Sequence, residues 1–291
     1  MPDLNRVGLV VRRALRAPGG PVFTDLPSAL TQTDPDFVLC LAGPAATPSI
    51  IAQTVAAGVP ILAEPPPATT PAGLAALTDL ADSGLVQIAE PYPWLPDQAA
   101  ALQVVRSGQV GRVSQVQLSG LPAHAAMALL RAYLGPDQPG PTVRTARFDQ
   151  QVVVSLDFAN GMTGVFTPTD RDHGGLYPRP FLVRGSAGEI AGRVLTRLDD
   201  PAAVVTTRLR RVYDRPDDPA AARLAGIWQG DTEIWRNPFP DQAWDDLAIA
   251  YGFIVAQMMA FVRQQGQGPY ALGEALADAR LVLAIDHAVA D

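Results

Sequence analysis

Two textures of apolar and polar residues follow one another along this chain. Up to about Gly111, short uninterrupted apolar runs alternate with stretches of helical spacing. The runs are Arg6–Val11, Phe37–Ala42, Val59–Ala63 and Leu85–Ala89. Apolar segments of this length, bounded by Gly, Pro or Asp, suit strands buried on both faces. Between them, Ile50, Ile51, Thr54 and Val55 recur at helical spacing and stop at Gly58. Leu74, Leu77, Leu80 and Ala81 do the same behind Thr70-Pro71, and further helices are predicted over Thr24–Leu30 and Pro96–Val105. The stretch from Asp34 to Pro67 thus reads strand, helix, strand, which is a parallel crossover unit. Open α/β sheets bind ligands beyond the carboxyl ends of their strands, which places Glu64 where chemistry is expected.

After Gly111 the pattern changes. Val113–Leu118 alternates like a half-exposed strand, and Ala123–Leu134 has helical spacing closed by Gly135. From Thr142 to Phe239 most segments are β-rich, and Asn160-Gly161 between two of them is a hairpin signal. Two helices, Asp245–Gln264 and Leu272–Ala290, close the chain. Alternating strands and helices followed by a run of strands predict an α/β domain over residues 1–111 and an α+β domain over 112–291.

Composition narrows the chemistry. The chain has 291 residues, 48% of them hydrophobic and 18% charged, enough for a sizeable core. A net charge of −7, without an arginine block interleaved with aromatics, argues against a nucleic-acid partner. No apolar run approaches the roughly 20 residues that span a bilayer, so no membrane partner is expected. The first residues lack the pattern of a secretory leader, and a single cysteine, Cys40, rules out an intramolecular disulfide; a cytoplasmic location is expected. All 22 basic residues are arginine. Any mechanism that needs a lysine from this chain is therefore excluded, because arginine stays charged and does not exchange protons. No spacing of His, Cys, Asp or Glu matches a metal site, and no phosphate-binding lysine loop or nucleophile elbow is present.

Several segments, in their order and spacing, carry a resemblance. They are Asp36-Phe37-Val38 through Pro44, Ala57–Glu64, Tyr92–Pro96, Ser107–Gly111, Gly185–Ile190, Asp245-Asp246, and Pro269-Tyr270 to Asp278. Together the chain resembles the Gfo/Idh/MocA oxidoreductases. The resemblance implies a truncated Rossmann-like parallel-sheet domain, then an open, mainly antiparallel sheet with helices on one face. It also implies NAD or NADP as cofactor, a sugar-like or small hydroxylated substrate, and a homodimer or higher homo-oligomer formed through the C-terminal sheet. Implied cofactor contacts are Arg12, Arg13, Pro44 and Glu64; the other reading of Arg12 and Arg13, which outweighs cofactor contact, is a pair of solvated arginines near an exposed edge. His124 is the one acid/base candidate, against a reading as a helix-start histidine bonded to backbone. Tyr92, Trp94 and His173 are candidate substrate contacts, with packing between domains the other reading of the two aromatics.

The sequence departs from the family pattern in three places. The glycine-rich phosphate turn is missing, and with it one βα unit. Pro65 follows Glu64 where the family has a lysine, and no aspartate stands four residues before His124. Two functions follow: an oxidoreductase with impaired catalysis, or a non-catalytic ligand-binding or subunit-interaction protein on the same fold. A third account is a longer natural chain that carries the missing unit.

Overall fold

The computed structural model describes residues 4–11, 20–135, 140–148, 151–168, 180–200, 203–215, 217–218 and 222–290. Its contacts divide the chain into two compact units, Met1–Glu90 with Ile254–Arg280, and Pro91–Phe253 with Leu281–Asp291.

In the first unit, β1 (Leu9–Val10) pairs in parallel with β2 (Val22–Phe23), and β3 (Val38–Cys40), β4 (Ile61–Ala63) and β5 (Val86–Ile88) form a separate three-stranded parallel sheet in that order. Helix α1 (Leu26–Thr33) joins β2 to β3, α2 (Thr47–Ala56) joins β3 to β4, and α3 (Pro71–Thr78) lies between β4 and β5. The crossover unit expected over 34–67 is therefore present. Orders β2-β1 and β3-β4-β5 match the outer positions of a doubly wound sheet, in which the first strand lies between the second and the fourth. Strands β4 and β5 are fully buried, as expected of parallel strands covered on both faces. β3 departs from that expectation: Cys40 is buried, but Leu39 is 49% exposed and Leu41, just beyond the strand, 70% exposed. Among the described residues β3 pairs on one edge only, with β4, and so lacks the cover that a central strand receives.

Local capping explains where these helices begin. Asp25 accepts a hydrogen bond from the Ser28 amide at 2.8 Å, so α1 starts two residues later than the sequence pattern predicts. Thr70 caps α3 in the same way, accepting from the Gly73 amide at 3.1 Å ahead of Pro71. Thr70→Ala is expected to cost about 1 kcal/mol in chemical denaturation, and Thr70→Ser to restore it.

The second unit is built on a ten-stranded sheet. Its strands are β6 (Val113–Leu121), β7 (Thr142–Phe148), β8 (Gln151–Asp157), β9 (Thr163–Pro168), β10 (Phe181–Gly185), β11 (Gly188–Ala191), β12 (Val194–Asp200), β13 (Ala203–Tyr213), β14 (Leu224–Gln229) and β15 (Thr232–Arg236). Their order is β15-β14-β13-β12-β11-β10-β6-β9-β8-β7, antiparallel throughout except where β6 and β9 run parallel. The predicted hairpin at Asn160-Gly161 joins β8 to β9. Helices α4 (Pro96–Arg106) and α5 (Ala123–Leu134) pack on this sheet, α4 against β14 and β15, α5 against β6 and β9. They enclose a core that includes Val116, Leu129, Leu156, Phe166, Ile190 and Leu195, each fully buried.

Gly185 is required where β10 meets the chain at Val110–Arg112. A Cβ there would lie 2.3 Å from the Val110 carbonyl oxygen, while Ser186 and Ala187 donate to Arg112 and Val110 alongside. Helices α6 (Asp246–Val262) and α7 (Leu272–Ala290) close the chain, and each contributes residues to both units.

Candidate functional site

The carboxyl ends of β3, β4 and β5 are pinned by strand-to-strand hydrogen bonds. The Glu64 amide donates to the Cys40 carbonyl at 3.0 Å, and the Ala89 amide to the Ala63 carbonyl at 2.8 Å. Behind β3, the buried Thr47 hydroxyl donates to the carbonyls of Ala42 (2.9 Å) and Gly43 (3.2 Å), locking the loop that carries Pro44 onto the start of α2. Pro44 and Glu64 are both exposed, so each is open to solvent at the strand ends. Pro65 follows at once, joined to Pro66 by a cis peptide, and Pro67 and Ala68 turn back into the core. Glu90, at the end of β5, is a buried carboxylate, only 2% exposed. Burial singles out Glu90, which the sequence pattern marks only as the close of a strand.

In the second unit the structure brings three of the sequence candidates onto neighbouring elements. Tyr92 and Trp94 lie on a short 3-10 turn, Tyr92–Trp94, that packs against α5, the helix carrying His124 in its first turn. Trp94 is half-buried, with its ring 4.8 Å from that of Phe253 at a tilted angle, while Tyr92 leans on the main core. Both aromatics therefore pack within their own unit and keep part of their surface open. His124 is half-buried, and desolvation pushes its imidazole pKa down from 6.5 to about 4. At neutral pH it is uncharged: a hydrogen-bonding group, but a weak proton acceptor.

The opposite end of α5 is anchored by the buried Tyr133, whose hydroxyl donates to Gln98 on α4 at 2.6 Å, and burial pushes its phenol pKa up. Trp235 packs on the core, and Phe239 lies against Trp244 with ring centroids 5.0 Å apart. Arg12, Arg13 and His173 lie outside the described residues.

A polar cluster that no sequence motif announces lies elsewhere in this unit. Arg211 on β13 donates from Nε to Asp97 at 2.9 Å and forms a two-pronged contact with Asp246, at 3.0 Å through Nη1 and more tightly through Nη2. Asp97 stands in the first turn of α4 and Asp246 in the first turn of α6, where carboxylates also meet the positive ends of the helix dipoles. These three residues are scattered over 150 positions of chain in roughly that span, and only the fold brings them together.

Solved structures agree with this architecture. An oxidoreductase from Agrobacterium radiobacter in complex with NAD+, L-tartaric acid and magnesium matches over 93% of this chain and 82% of its own, at 16% identity and a TM-score of 0.67. Levoglucosan dehydrogenase in complex with NADH and levoglucosan matches over the same shares at 17% identity and a TM-score of 0.65. The myo-inositol dehydrogenase from Corynebacterium glutamicum also matches over those shares, at 17% identity and a TM-score of 0.64. The fold is that of the Gfo/Idh/MocA-type oxidoreductases. No protein-family model matches the sequence, and no curated protein matches it either. Pro44 lies in the loop after β3, Glu64 and Pro65 follow the carboxyl end of β4, Tyr92 and Trp94 stand where the second unit begins, and His124 lies in the first turn of α5.

Proposed function

We propose that this chain is a homologue of the Gfo/Idh/MocA oxidoreductases in which nicotinamide-dependent hydride transfer is impaired, and which keeps the capacity to hold a sugar-sized hydroxylated ligand. One observation carries the reading. At the end of β4, directly after Glu64, the chain places Pro65, which has neither an amine nor a backbone N–H, in a sequence that has no lysine at any other position.

A nicotinamide dinucleotide, when bound, takes up hydride from a carbon that bears a hydroxyl, and the hydroxyl proton must go to a base. The groups described here fit that demand poorly. His124, with its pKa pushed to about 4, holds a proton weakly. Gly8, the glycine beside β1, is not open for a pyrophosphate: a Cβ on it would meet Phe23 at 3.1 Å and Thr33 at 3.2 Å, so it serves packing. Tyr92 and Trp94, partly open beside α5, favour retained binding of a hydroxylated ligand, because aromatic faces with a few polar groups commonly hold such molecules.

Titration of the purified chain with NADH and with NADPH, followed by nicotinamide fluorescence, tests the reading. No saturation is expected below about 1 mM, a free energy of binding near −4 kcal/mol. Saturable binding in the micromolar range would falsify it.

A further inference from the structure

We draw no further inference here: the strongest candidate, the backbone edges of β1 and β3 left open among the described residues with the exposed Leu39 and Leu41 beside them, is an unpartnered apolar surface, and nothing in the structure shows what covers it.

Discussion

Arg211→Met is expected to destabilise the second unit by about 2–3 kcal/mol in urea denaturation at neutral pH. Breaking a fully buried ion pair by removing one partner costs about 3–5 kcal/mol, because a charge is left without compensation. The Arg211 side chain is 19% exposed, whereas those of Asp97 and Asp246 are 33% and 40% exposed. Water therefore screens the two orphaned carboxylates, and the cost falls below the fully buried figure. Methionine keeps much of the aliphatic stem, so the loss reports the guanidinium rather than a cavity. Arg211 links α4, β13 and the first turn of α6, and its own pKa is driven further up by these contacts against the opposing effect of burial. Asp97→Asn should cost less, on the order of 1 kcal/mol, since Asp246 still holds the guanidinium at two nitrogens. A loss below about 1 kcal/mol for Arg211→Met would show that the cluster is a solvated surface pair.

What the sequence made legible was set by local physics. The crossover unit, the helix over Ala123–Leu134 and the hairpin at Asn160-Gly161 all follow from periodicity and turn residues, and all three are present. Helix bounds were less legible: α1 runs Leu26–Thr33 behind its Asp25 cap, whereas the pattern predicts Thr24–Leu30. β3 reads as doubly buried from its composition, yet Leu39 faces solvent, because burial depends on which strands stand beside it and composition carries no such information. Of the site, Glu64 and Pro65 could be placed at a strand end from the run of residues before them. Neighbourhood in space could not: α5 and the Tyr92–Trp94 turn meet through tertiary packing, and so do Arg211 and its two carboxylates. Burial of Glu90 and of His124 is likewise a property of the packed units, and for His124 it pushes the imidazole pKa down.

His124 provides the sharper dependence on pH. Its pKa lies near 6.5 when the chain is unfolded and about 4 in the fold, where desolvation disfavours the charged form. Above pH 6.5 both states hold a neutral imidazole, and the folded state keeps its full stability with respect to this group. As the pH falls from about 6.5 towards 4, the unfolded chain takes up a proton that the folded chain refuses, so stability declines through that window. Partial exposure of the ring limits the effect to on the order of 2 kcal/mol. His124→Gln, which keeps a polar side chain of similar reach but does not titrate, should therefore lose less stability than the parent between pH 7 and pH 4. Urea midpoints measured for both proteins at several pH values across this range give the difference directly. Parallel pH profiles for the two would show that water reaches the imidazole as freely in the fold as in the unfolded chain. His124 would then regain an ordinary pKa, and with it the ability to exchange protons at neutral pH that hydride transfer from a hydroxylated ligand requires.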